Sequence, residues 1–445
     1  MTLQSLIRTV VKTYKTVSVL NAVPDAKWDA YTKVLSRLIT QGRGSMVVIL
    51  SLRDLRVDFE LTAPEWDSHQ EAVERFVEWL GRVTPAKAGA DLASLVKGSK
   101  RGDTILLAPG TYDHARLQRD SEDEGLGFTT IMAWPQHTAM IQNNPVGGSN
   151  TLSIRSSSMH LDGLVIQGDD KAGIEFYDNF PVSNILLTNL RFLHGFTGGR
   201  EWGIHGYSVG DLTVANTEML GLEKGEHGIY LQPHGYCGRY MFDRVTVKRS
   251  GRTHSQIVSR NGKPRPQPGK LDWYGCVAED NGLEDGGGGS AFTIRGGMKD
   301  HEATFYGCVS RQGCDPTLPV DLGRNITGSM VVDAGSDKSG GSWDGAGVAK
   351  LTLSECHFEV GSVYGGDRPN VMISHTPFVE LMANTIINHP GSQPVALQLD
   401  RDTIQTLKVH PQKRIQGRIS WGGAIYEGWD AFLAGTADDQ RVVRP

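Results

Sequence analysis

Apolar and polar residues alternate between residues 161 and 399 in short runs that recur eight times. Successive side chains of a β-strand point to opposite faces, so alternation at a period of two marks half-buried strands. Each unit has a first strand-like run, starting at Leu161, Ile185, Leu212, Tyr240, Leu271, Ala303, Leu351 and Val379. A second run follows, in which the first apolar residues are Ile174, Ile204, Ile229, Ile257, Phe292, Met330, Val371 and Val395. The steps between these markers range from 24 residues (Val371 to Val395) to 41 (Met330 to Val371). Repeats of that length mean a solenoid, a propeller or an array. No unit carries a sustained 3.6-residue period, which argues against helical arrays, and two or three strands per unit are too few for a four-stranded propeller blade. The expected fold is mainly β, a solenoid of parallel strands wound as a β-helix.

Parity sorts the second runs into two faces. Ile174, Phe176, Ile204, Gly206, Ile229, Leu231, Ile257, Phe292, Ile294, Met330 and Val332 fall on the inner one. The outer face then has two columns. One reads Glu175, His205, Tyr230, Val258, Thr293, Val331, Met372, Ala396, and the other Tyr177, Tyr207, Gln232, Arg260, Arg295, Asp333, Ser374, Gln398. The first column turns from polar to apolar along its length, and an apolar strip on an outer face usually meets something. A homo-oligomer or a folded-back C-terminal tail would cover it.

Outside the repeat the pattern changes. Residues 1–86 show helix-like periods at 3–17, 28–39 and 68–80, with two strand-like runs between 46 and 61, and read as a mixed α/β head able to attach the solenoid to something. The solenoid is expected over 87–400, and residues 401–445 as a cap for its open end. Eighteen consecutive apolar residues occur nowhere, so no transmembrane helix is expected. The N-terminal run is interrupted by charge and lacks a small-residue cleavage site, so no secretory signal is expected there. A net charge of −5 without a dense Lys/Arg run argues against nucleic acid as a partner. The five cysteines, Cys237, Cys276, Cys308, Cys314 and Cys356, lack metal-site spacing. Aligning the repeats puts Cys276, Cys308 and Cys356 at one position, shared with Leu190, Thr217 and Val245, as a buried column of small residues.

A short amphipathic helix at 90–96 leads into Gly102-Asp103-Thr104-Ile105 and Pro109-Gly110-Thr111-Tyr112, then into Thr130-Ile131, Ala133 and Pro135. This entry resembles that of right-handed parallel β-helix proteins of the pectate-lyase-like superfamily, and at the level of pattern the likeness covers roughly residues 88–400. That superfamily includes bacterial polysaccharide lyases and hydrolases, and phage tailspikes. The resemblance implies a tailspike-like virion protein, assembled in the host cytoplasm, that recognises and could cleave bacterial surface polysaccharide. It further implies a homotrimer whose head meets other virion proteins. A non-enzymatic structural or adaptor protein of a virus particle stays open, as does a bacterial, extracellular polysaccharide lyase or hydrolase without its leader.

The outer columns hold the candidate chemistry. Tyr177, Tyr207, Tyr230, Gln232 and Glu175 are substrate-binding candidates, since sugar rings stack on aromatic faces and hydroxyls bond to planar polar groups. Arg260, Arg295, Asp333 and His205 are the catalytic candidates. Glycoside hydrolysis needs two carboxyl groups about 5–9.5 Å apart, and Asp333 would need a partner from Glu284, Asp285, Asp315, Asp321 or Asp337. Lyase chemistry needs a base and a positive group beside a sugar carboxylate. Arg260, Arg295, His205 and Tyr207 are of the right types. His227 and His234 stand seven apart across a strand, too far for a chelating pair, and no metal-binding residues are assigned. The one candidate for a cofactor is calcium at the acidic loop 282–289, which lacks an ordered ligand spacing.

Overall fold

The computed structural model describes residues 83–445, apart from segments 122–124, 126, 134–135, 143–149, 169–170, 195–201, 208, 221–226, 234–237, 259–268, 282–289, 316, 318–327, 334–346, 362–368 and 391–394. The expected head therefore lies outside the described residues, apart from its last few.

Each turn of the chain contributes one strand to each of three long sheets, of 13, 11 and 12 strands in the order in which a turn visits them. Met159–Asp162, Val165–Gly168 and Ile174–Phe176 make one such turn. Ile185–Thr188, Arg191–His194 and Trp202–Tyr207 make the next. Neighbouring strands pair in parallel, as in Ile185 with Met159 and Ile174 with Ile204. The molecule is thus a parallel β-helix.

The first run of each sequence unit is two strands rather than one. The corner between them is a single residue in the left-handed region: Gly163, Asn189, Asn216, Arg244, Gly275, Gly307, Glu355 and Ala383, with φ between 48° and 66°. Glycine and asparagine enter this region at little cost, and those residues punctuate the early repeats. Arg244, Glu355 and Ala383 are held there by the pairing on both sides.

The core is one continuous stack inside the three sheets. Trp273 lies between Phe242 and Phe305, with ring centroids 5.2 and 4.2 Å away. The cysteine column is present. The Sγ–H groups of Cys276, Cys308 and Cys356 donate to the carbonyls of Phe242, Trp273 and Phe305 on the preceding turn, at 3.3–3.5 Å. Burial pushes the Cys308 and Cys356 thiols well above their ordinary range, so these are packing groups rather than reactive ones.

The helix Leu92–Lys97, capped by Asp91, covers the first turn and buries Leu92 and Val96. Strand pairing starts at Val83 and runs past residue 400: Thr406–Val409, Arg414–Gln416 and Arg418–Trp421 complete another turn. The antiparallel strand Ala424–Tyr426 and the helix Trp429–Gly435, with Phe432 buried, then close the end. Among the described residues no helix is long and apolar enough to cross a membrane.

Candidate functional site

The outer face of the third sheet carries the groups singled out in the sequence, on strands that stack at about 4.8 Å. Glu175 pairs with His205 and His205 with Tyr230, so the first column begins as expected. Tyr207 pairs with Gln232, and Tyr177 follows Phe176, the partner of Gly206.

Past Gln232 the register differs from the expected one. Ser255, not Ile257, stands beside Ile229 and Phe292, so Gln256 joins the first column and Val258 becomes the neighbour of Arg295. The pairing of Arg260 with Arg295 is therefore incorrect: the place assigned to Arg260 belongs to Val258, and Arg260 itself lies outside the described residues. The cause is chemical. The inward residue of this strand is a serine, fully buried, whose Oγ accepts a hydrogen bond from Trp273 Nε1 at 3.1 Å. A second shift of two puts Leu397 beside Val371, so that Gln398 replaces Ala396 in the first column. Gln256 and Gln398 thereby join Thr293 as polar breaks in the apolar strip. Arg295 and Asp333 are neighbours, with Nε 3.6 Å from Oδ1.

The structure adds a third outer column that parity missed. At Gly203 and Gly228 the chain bends so that the glycine and the following isoleucine both face the core. A Cβ on Gly203 would stand 2.6 Å from the Gly228 carbonyl oxygen and 2.7 Å from Met219 Sδ, and one on Gly228 2.8 Å from Val247. The bend returns Trp202 and His227 to the outer face. There Trp202 stacks on His205 at 4.4 Å, His205 on Tyr230 at 5.5 Å, and Tyr230 on His227 at 4.8 Å. Tyr207 meets His205 edge-on at 4.8 Å. The sequence signal for this column was an aromatic residue directly before two of the three Gly-Ile pairs, Trp202 and His227, where Ala172 precedes the first.

Under these rings His205 and Glu175 are buried, and His205 Nδ1 lies 2.8 Å from Glu175 Oε2. In the neutral imidazole, an Nδ1–H donating to the carboxyl leaves Nε2 as the acceptor nitrogen, and that buried atom has no hydrogen-bond partner. His227 is also buried, with Nδ1 2.7 Å from Thr253 Oγ1. Burial drives its pKa well below the ordinary range, with Arg252, His205 and Arg295 acting in the same direction. His227 is therefore neutral at pH 7.

Glu175 and Asp333 stand five strand steps apart, about 24 Å, beyond the range for a pair of hydrolytic carboxyls. Of the proposed loop partners, Asp315 is described and hydrogen-bonds to Thr317. Glu284, Asp285, Asp321 and Asp337 lie outside the described residues, as does the calcium candidate loop. Among the described residues no cluster of three or more His, Cys, Asp or Glu is arranged to hold a metal.

No protein-family model matches the chain, and no curated protein matches it in sequence. Solved structures do resemble it. An alginate lyase from Paenibacillus sp. str. FPU-7 superposes with a TM-score of 0.51 at 14% identity, over 70% of this chain and 97% of that one. A mutant tailspike protein of E. coli bacteriophage HK620, in complex with a pentasaccharide, gives 0.42 at 12% identity, over 81% of this chain and 64% of that one. At such identities the likeness is one of fold, the parallel β-helix.

Proposed function

We propose that the protein recognises a polysaccharide along the outer face of the third sheet, and that His205, oriented by Glu175, is its proton-accepting catalytic group. The observation that carries this reading is the ring stack Trp202–His205–Tyr230–His227 with the unpartnered Nε2 at its centre. Aromatic faces suit sugar rings, and a nitrogen buried without a partner is costly in a fold selected for stability alone. The reaction this pair can serve is elimination. Nε2 is buried, so a covering ring has to turn aside before the base takes the proton on the sugar carbon beside a carboxylate; a carbon–carbon double bond then forms as the neighbouring carbon–oxygen bond breaks, and the departing oxygen takes up a proton. Arg295, three strand steps from Tyr207, would steady the acidic group of another sugar unit.

The virion setting, the homotrimer and attachment through residues 1–86 belong to the same proposal. The trimer rests on the resemblance to tailspikes, and the virion setting on a non-repeating head and free cysteines joined to a long β-helix.

The test is a panel of bacterial surface polysaccharides. Release of oligosaccharides with new absorbance near the ultraviolet band of an unsaturated uronate is expected from the wild type and not from His205→Ala. Binding without release would remove the catalytic half of the proposal. Neither binding nor release across the panel would remove both halves and leave the protein a rod.

A further inference from the structure

A cleft of about 700 Å³ opens at the N-terminal end of the same sheet, between the helix Leu92–Lys97, the strand Ala115–Leu117 and Tyr177. Its charged lining is unbalanced. Among the described residues it presents Lys97, Arg116, Arg119 and Lys171 against one carboxylate, Asp120, in a chain whose net charge is −5. Two of the four cations are engaged. The Arg119 guanidinium is buried and donates to Thr129 Oγ1 at 2.9 Å and to the Ser157 carbonyl at 2.7 Å, while Lys97 faces Asp120 across 3.9 Å in open solvent.

Arg116 and Lys171 are different: among the described residues neither has an ion-pair or hydrogen-bond partner. A further cation, outside the lining, stands behind Tyr177 and interacts with that side chain. The Arg155 guanidinium lies 4.9 Å over the Tyr177 ring and 4.5 Å over Phe180, and its buried Nε finds no hydrogen-bond partner. Arg116 also acts on Arg155, which is held below its ordinary pKa first by burial and then by that neighbouring charge. Like charges gathered in a concave surface raise the local concentration of anions and contribute nothing to folding.

Register ties the cleft to the ring stack. Arg116 pairs with Ser153, Ser153 with Glu175, and Glu175 with His205, three strand steps or about 14 Å. Tyr177, whose hydroxyl accepts a hydrogen bond from Asn150 Nδ2 at 2.8 Å, lines the cleft and opens the column that continues to Tyr207. A glycan of a few units laid along the columns would reach from one site to the other.

We propose that this cleft is an anion-binding subsite, in which Arg116 and Lys171 hold the acidic group of a sugar unit of the polysaccharide bound at the ring stack. The inference rests on the reading of the third sheet as a glycan face. It names the substrate class as an anionic polysaccharide and places the second point of attachment.

The experiment measures binding of the full chain, and of its Arg116→Ala/Lys171→Ala and Tyr207→Ala variants, to a uronate polymer, a sulfated polymer and a neutral glucan at low and high salt. The wild type is expected to bind an anionic polymer, with an affinity that falls as salt rises. The double variant should lose at least tenfold on that polymer and most of the salt dependence, with unchanged melting in the absence of glycan. Loss confined to the sulfated or to the uronate polymer identifies the anionic group. Wild-type affinity in the double variant, with weakened binding in Tyr207→Ala, overturns the subsite and leaves the glycan face standing, as does a wild type that binds only the neutral glucan. A double variant that melts differently without glycan overturns it as well, because the cleft then holds part of the chain itself. Binding of no polymer by the wild type overturns subsite and face together.

Discussion

His205 Nδ1 and Glu175 Oε2 stand 2.8 Å apart on adjacent strands, both side chains buried although they point away from the core. They are coupled because, among the described residues, neither has another polar partner that could replace the contact under the rings. His205→Ala should cost about 3 kcal/mol of stability by leaving a buried carboxyl alone, and Glu175→Ala a comparable amount. The double variant should fall short of their sum by about 1–2 kcal/mol. Urea melts of the four proteins give the coupling, and strict additivity would show that the two groups do not act as a unit.

Gly203 sets the position of Trp202. The Cβ of Gly203→Ala would lie 2.6 Å from the carbonyl oxygen of Gly228, a backbone atom of the next strand that cannot retreat without parting the sheet. The expected cost is about 2 kcal/mol, the range of overpacking in a tight interior. Trp202 should also leave its stack on His205, changing the tryptophan fluorescence. An alanine variant with unchanged melting and emission would mean that the strand tolerates the side chain and that the bend has another origin.

The fold was legible in the sequence because alternation and repeat length survive small errors of alignment. Beyond the glycine bends parity was equally secure: a slip of two residues leaves every side chain on its own face. The same tolerance hid the slip. Alignment on the first apolar residue chose Ile257, whereas the inward place beside Ile229 belongs to Ser255, which Trp273 Nε1 satisfies from inside the core. A buried serine with a partner from another sheet leaves no mark in a hydrophobic pattern, and so Arg260 was set beside Arg295. The outer-face places of Trp202 and His227 were missed for a related reason, since the glycine bend breaks the two-residue period directly after them. The cleft at Arg116 and Lys171 was out of reach, because it is assembled from the capping helix and three separate turns.

Asp439 pins the C-terminal end. Its carboxylate accepts from Arg441 Nε and Arg401 Nε, each at 3.0 Å, and from Trp421 Nε1 at 3.1 Å. Its pKa is depressed chiefly by the Arg441 side chain, with the Arg441 N–H and Trp421 adding, against an opposing effect of burial. A carboxyl with a depressed folded-state pKa contributes stability that is complete above the unfolded value, about 3.9, and is lost as the pH falls through the folded value. Hydrogen exchange in the segment containing Leu407, whose N–H donates to the Arg441 carbonyl, should therefore lose protection in acid before the central turns do. Asp439→Asn should show weaker protection already at neutral pH and a flatter acid dependence. Equal protection of the wild type and the variant at neutral pH would show that Asp439 does not hold the end.

Arg295 separates a functional face from a merely solvated one. Its Nε is buried without a hydrogen bond and stands 3.6 Å from Asp333 Oδ1, in a pair whose side chains are 31% and 20% exposed. An ion pair that loose, between partly solvated side chains, is worth at most about 1 kcal/mol, so Arg295→Ala should melt within a few degrees of the wild type. Binding should respond far more strongly. With Val258 in the place assigned to Arg260, Arg295 is the one cation between Tyr177 and Ser374 in its column among the described residues, and no neighbour there can substitute for it. At least a tenfold loss of affinity for an anionic glycan is expected, with Asp333→Asn tightening or preserving binding because it removes the competing carboxylate. If Arg295→Ala instead lowers the melting temperature and binds glycan like the wild type, Arg295 and Asp333 serve the sheet alone, and the glycan contacts end at the aromatic stack.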